Sequence, residues 1–98
     1  MAVDGGDGKT VALQGPATIY EVAAIRETLR DGLDRAGELR IDLGDSGKWD
    51  LAGLQLLVSC VNAGRKLGRT VRLVRVPPIC RDIAARSGLA EWLDSHSK

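Results

Sequence analysis

The chain has 98 residues, 44% hydrophobic and 28% charged, with a formal net charge of +1. That length supports one hydrophobic core and excludes a second domain or a deep enclosed cavity beside it. The near-neutral balance excludes a general electrostatic attraction to nucleic acid. The longest apolar run, Leu51 to Val61, is broken by Gly53, Gln55 and Ser59, well short of the roughly 20 residues that a membrane-spanning helix needs.

Residues 1–9 are rich in Gly and Asp and lack the apolar stretch of a signal peptide. They read as a flexible N-terminal segment on a cytoplasmic protein. Thr10 to Leu13 reads as a short strand ended by Gln14-Gly15-Pro16, and Ala17 to Ile19 as a further edge segment. Val22, Ile25, Leu29, Leu33 and Ala36 then recur at three- and four-residue steps, which predicts an amphipathic helix ended by Gly37 in the left-handed conformation. Leu39 to Leu43 is a strand with Leu39, Ile41 and Leu43 on one face.

Gly44 to Trp49 is a polar loop, and a second helix is expected from about Leu51 to Leu67. Its apolar side, Leu51, Leu54, Leu57, Val58, Val61 and Leu67, is wide enough to predict extensive burial. Arg65 and Lys66 suit its last turn, and Gly68 stops it. Val71 to Val76 forms the next strand, and Pro77-Pro78 ends it. Pro78 suits the start of a third helix that runs to about Ser87 and buries Ile79, Ile83 and Ala84. Gly88 breaks the chain before a last helical turn or two from Leu89 to Leu93. The order βαβαβα implies an α/β fold with a mostly parallel sheet and right-handed crossovers.

Charge is uneven along the chain: acids from Asp4 to Asp50 load the first half, and bases from Arg65 to Arg86 load the second. These read as solvated helix faces and loop rims, with a basic patch steering an acidic partner as the sharper alternative. Only Trp49, Trp92 and Tyr20 could stack on bases, so RNA is disfavoured.

Little in the sequence points to catalysis. Cys60 and Cys80 lie in apolar surroundings with no Cys-x-x-Cys pair, and His96 is the one histidine, so no metal site is expected. Gly8-Lys9-Thr10 resembles the tail of a phosphate loop, but Val3 stands where the first glycine belongs and a strand follows where a helix is required. A Gly-x-Ser-x-Gly elbow is absent. The expectation is a non-enzymatic protein without a cofactor.

The informative stretch runs from Ile41 to Leu57. A strand ending Asp42-Leu43 is followed by a short loop and then by Asp50-Leu51-Ala52-Gly53-Leu54. The Asp50 carboxylate is placed to cap the second helix by accepting from the amide of Ala52 or Gly53. Gly53 would let another chain or backbone approach closely, and Trp49 is either packed in the core or a rim anchor.

This pattern, continued through Gly68, Val71–Val74 and Gly88-Leu89, resembles the STAS domain. That family includes anti-sigma factor antagonists and the C-terminal domains of sulfate transporters. The resemblance covers roughly residues 10 to 93, and residues 10–95 read as a single STAS-like domain. It implies a sheet of four or five strands with mixed edges, flanked by helices, and a role in protein docking.

In the antagonists, a Ser or Thr directly after the capping Asp is phosphorylated by a kinase that doubles as an anti-sigma factor. The added charge then abolishes docking. Here those positions are Leu51 and Ala52, and neither carries a hydroxyl. The nearest hydroxyls, Ser46 and Ser59, are off the family's site. Ser46 reads as a plain loop serine, and Ser59 falls within the second helix.

The resemblance implies a partner-binding surface formed by Lys48, Trp49, Asp50, Leu51, Ala52 and Gly53, with Thr18 and Tyr20 nearby and Gln55 on its edge. The leading expectation is docking onto a signalling partner, either a kinase-like anti-sigma factor or a chemotaxis component. The alternative is an accessory subunit bound to the ATPase of an Mla-type phospholipid ABC transporter. Relatives of that type usually keep a Thr where this chain has Leu51.

Overall fold

Strict alternation sets how the sheet is buried. In Glu38–Asp42 and Thr70–Val74, the residues Leu39, Ile41, Val71 and Leu73 are buried, while the alternating Arg40, Thr70 and Arg72 are exposed on the opposite face. The computed structural model describes residues 8–35 and 37–97. Its elements are β1 (Gly8–Ala12), α1 (Val22–Arg35), β2 (Glu38–Asp42), α2 (Leu51–Lys66), β3 (Thr70–Val74), α3 (Pro78–Arg86) and α4 (Ala90–His96).

The three strands run parallel in the order β1-β2-β3, with Val11 opposite Ile41 and Ile41 opposite Leu73. Right-handed crossovers between successive neighbours place α1 and α2 on the same face. There α1 packs on β1, β2 and α2, α2 packs on β3, and α3 and α4 follow beside them. The core between sheet and helices is leucine-rich, centred on Leu29, Leu39, Leu43, Leu54, Leu57 and Leu73.

The α/β class and the alternating order follow the sequence reading, but the sheet is narrower than the resemblance implied. Among the described residues it has three strands, all parallel, rather than four or five with mixed edges. The expected edge segment Ala17–Ile19 contributes only a single bridge, Ala17 to Trp49, because the chain turns at Thr18. β1 starts at Gly8, inside the segment read as flexible; the rest of that expectation, Met1–Asp7, lies outside the described residues. Ala36 also lies outside them; α1 ends at Arg35, and Gly37 follows as an exposed bend. Gly68 does follow α2 in the left-handed conformation, at φ 73°.

Burial on α2 differs from the expected stripe. Gly53, Leu54, Leu56, Leu57, Cys60, Val61 and Gly64 are buried, whereas Leu51 and Leu67 are exposed. The buried face is therefore turned toward Leu56 and Cys60, which meet α1. On α3, Cys80 and Ala84 are the buried residues, and Ile79 faces out.

Part of the charge asymmetry along the sequence is neutralised in space, through Arg72 and Arg75. Parallel register sets Arg72 opposite Arg40, its Nε reaches diagonally to Glu38 Oε2 at 3.6 Å, and Arg75 lies across the end of β2. Arg75 Nε and Nη2 donate to Asp42 Oδ1 and Oδ2 at 2.9 and 3.1 Å, and Nη2 also reaches Asp45 at 3.5 Å. Arg75 holds φ 53°, a region that costs a non-glycine residue about 1–2 kcal/mol, offset by this two-pronged contact. The Arg75 guanidinium, with the Gly44 amide, holds the Asp42 carboxyl below its usual range.

Candidate functional site

Two segments far apart in sequence meet at the start of α2. Asp50 has extended backbone geometry as the N-cap, and its Oδ1 accepts from the Gly53 amide at 3.1 Å. Its other oxygen, Oδ2, accepts from the Ile19 amide at 3.0 Å. One carboxylate thus caps α2 and fastens the turn that leads into α1.

That turn, Thr18 to Glu21, has its own lock. The Thr18 hydroxyl and amide both donate to Glu21 Oε1, at 2.6 and 2.8 Å. This is the Glu half of a Thr-x-x-Glu capping box: the Glu21 amide donates to the Thr18 carbonyl at 2.9 Å and closes the turn, and the Thr18 hydroxyl accepts from the Tyr20 amide at 3.3 Å. The two Thr18 donors hold the Glu21 carboxyl below its usual range, against the upward push of desolvation and of the like charge on Asp50.

The loop before Asp50 is organised from inside. Ser46 is fully buried. Its hydroxyl donates to the Leu43 carbonyl at 2.7 Å and accepts from the Trp49 indole Nε1–H at 2.6 Å. Ser46 is therefore a structural anchor and not the plain loop serine expected. Of the two alternatives for Trp49, the packed one holds, since it is 8% exposed.

The Ala17 amide donates to the Lys48 carbonyl at 2.8 Å, which brings the Ala17 carbonyl against Gly53. A Cβ on Gly53 would sit 2.1 Å from that oxygen and 2.9 Å from the Trp49 ring. Gly53 thus admits backbone approach, but the backbone is this chain's own.

The nine expected partner-binding residues divide accordingly. Trp49 and Gly53 are buried and shape the turn from within. Asp50, Ala52 and Thr18 are half-buried, with Asp50 and Thr18 committed to the hydrogen bonds just described. Lys48, Leu51, Gln55 and Tyr20 face solvent. Ile19, which the sequence reading did not single out, joins them.

Ile19 is 62% exposed, Tyr20 90% and Leu51 41%, and the Asp50–Ile19 bond brings the segments that carry them together. The signal for the inner turn was present in Thr18-Ile19-Tyr20-Glu21, a Thr-x-x-Glu ahead of an apolar-periodic run. Among the described residues no three His, Cys, Asp or Glu side chains cluster to hold a metal ion, and no helix is long and apolar enough to cross a membrane.

A family model described as Mlab, STAS domain matches residues 2–94. No match is found among curated protein sequences. Among solved structures, the chain is similar to the anti-sigma factor antagonist SpoIIAA of Bacillus in its unphosphorylated form. The TM-score is 0.72 at 16% identity, over 93% of this chain and 81% of that one. A sulfate transporter family protein from Wolinella succinogenes gives 0.71 at 17% identity, over 92% and 75% of the two chains. The murine Solute Carrier 26 family member A9 anion transporter gives 0.77 at 19% identity, over 94% of this chain and 16% of the transporter. At these identities the likeness is one of fold.

Proposed function

The chain belongs to the STAS domain family, and on that premise we propose that it is a non-catalytic docking module whose contact surface is the joined turn of Ile19, Tyr20, Lys48, Leu51 and Gln55. The observation that carries this reading is the exposure of Ile19, Tyr20 and Leu51 on segments clasped by one carboxylate. Exposed apolar side chains held on a rigid frame gain from burial by a partner without a large ordering cost. Full burial of a Leu side chain is worth about 1.5–3 kcal/mol, and Leu51 starts 41% exposed, so its share is about 1 kcal/mol.

The partner is read as a signalling protein, a kinase-like anti-sigma factor or a chemotaxis component, and the likeness to SpoIIAA supports this. Docking here is regulated without phosphate at the usual position, because Leu51 and Ala52 directly follow the capping Asp50. Of the nearby hydroxyls, Ser46 is buried and Thr18 is bonded to Glu21, so neither offers a ready acceptor. The family description Mlab favours a second reading, an accessory subunit on the ATPase of an Mla-type phospholipid transporter, through the same surface. Either role places the chain in the cytoplasm, which suits two buried, unpaired thiols.

Affinity capture from the native extract with wild type and Leu51→Glu tests the proposal. Wild type should retain a kinase-like ATPase or chemotaxis component, and the folded variant should lose it. Retention of a transporter ATPase selects the second reading, and equal capture by both proteins places docking elsewhere.

A further inference from the structure

A second feature lies on the outer side of the helical layer. α1 and α2 leave between them an open groove of about 580 Å³, within the range of small-molecule sites. Its floor is Leu29, Leu33, Leu56 and Cys60, each almost fully buried. Arg26 and Arg30, one helical turn apart on α1, and Lys66 on α2 line its rim, with Asp34 the one carboxylate among the lining residues.

Among the described residues these three cations form no salt bridge, whereas Arg40, Arg72, Arg75, Arg81 and Arg86 each sit beside a carboxylate. An apolar slot edged by unneutralised cations is complementary to an anion with an apolar body. The floor side chains expose so little surface that a bulky docking helix would cover few of them. A slender chain gains by removing its own methylenes from water.

We propose that this groove binds a single-chain amphiphilic anion, an alkyl chain ending in a carboxylate. The chain lies on the leucine floor, and the headgroup is held by the Arg26 and Arg30 guanidinium forks, whose planar donor geometry matches a carboxylate. The Ser59 hydroxyl, on the α2 side, offers a further donor. The groove shares no residue with the docking turn, so this proposal stands or falls independently of that one.

The test is calorimetric titration of the full chain with decanoate, dodecanoate and tetradecanoate below their micelle concentrations. Dodecyltrimethylammonium and dodecanol serve as cationic and neutral probes of equal chain length. Affinity should rise with chain length, by up to about fourfold per methylene, and the cationic and neutral probes should bind at least about tenfold more weakly. Ala63→Trp, which fills the groove, should abolish binding, and Arg26→Glu with Arg30→Glu should abolish the preference for the anion, both with unchanged far-UV circular dichroism. The proposal is overturned if no carboxylate binds, if the cationic probe binds equally, or if the folded variants bind as wild type does. Capture of an acidic amphipathic peptide with no alkyl carboxylate binding would overturn it in favour of a protein partner.

Discussion

The Ile19 amide donates a 3.0 Å hydrogen bond to Asp50 Oδ2 across 31 positions of sequence, while Oδ1 of the same carboxylate caps α2 at Gly53. The two oxygens hold two different parts of the docking surface, so their loss should separate by substitution. Asp50→Asn keeps an acceptor for the cap, and Asn caps helices about as well as Asp. Its amide nitrogen cannot also accept from Ile19, so thermal unfolding should change little while partner capture falls. Asp50→Ala removes both contacts and should lower stability by about 0.5–2 kcal/mol from the cap alone.

Gly53→Ala should destabilise the fold, although alanine is the better helix former. The new methyl would meet the Ala17 carbonyl, a backbone atom held by the Ala17–Lys48 hydrogen bond, and the face of Trp49. Overpacking of this kind costs about 1–3 kcal/mol, measurable as a lower urea midpoint. An unchanged midpoint would mean that the Ala17 segment moves freely.

Ser46 and Trp49 should behave as a coupled pair. Ser46→Ala leaves the buried indole N–H without an acceptor, at about 1–3 kcal/mol. Adding Trp49→Phe removes the orphaned donor, so the double-mutant cycle should show a coupling energy of about 0.5–3 kcal/mol. Ser46→Glu should unfold the loop instead of acting as a regulatory mimic, which a circular dichroism melt would report.

Acid should weaken two contacts. Asp42 is held below its usual range by Arg75 and the Gly44 amide, and Glu21 by the Thr18 hydroxyl and amide. A carboxyl with a lowered folded-state pKa stabilises the fold above its unfolded value, near 3.8 for Asp42 and 4.5 for Glu21, and that contribution disappears as pH falls through the lowered value. The melting-temperature gap between wild type and Asp42→Asn should therefore be constant above about pH 5 and close progressively below pH 4. A gap that persists at pH 2 would assign the difference to packing.

Burial pushes the Cys60 thiol up to about 11 and Cys80 up to about 12. Both should be protonated at neutral pH and react with Ellman's reagent only as fast as the fold opens. Rapid labelling of the native protein at either position would contradict this.

Much of this arrangement was legible in the sequence because it is local. Asp50 as a helix cap follows from residue type and position, and the parallel sheet follows from alternation of strands and helices. What escaped is tertiary. The second bond of Asp50 depends on a turn that the chain reaches from Ala17, and nothing between positions 19 and 50 announces it. The burial of Ser46 follows from the indole that folds over it. The turn of α2 toward Leu56 and Cys60 is set by its seating against α1, which periodicity along α2 alone does not specify. Thr18-Ile19-Tyr20-Glu21 was readable as a capping box, and reading it would have ended the edge segment at Ala17 and exposed Ile19 as a surface residue.

The central claim is that partners dock on the joined turn. Its most direct test is the hydrogen-exchange footprint of the complex formed with the captured partner. Slowed exchange confined to the segments around Ile19–Tyr20 and Leu51–Gln55, with the Arg40 and Arg72 sheet face unchanged, is the predicted result. Protection confined to the sheet face or to α3 and α4, with the two turns exchanging as in the free protein, would contradict it.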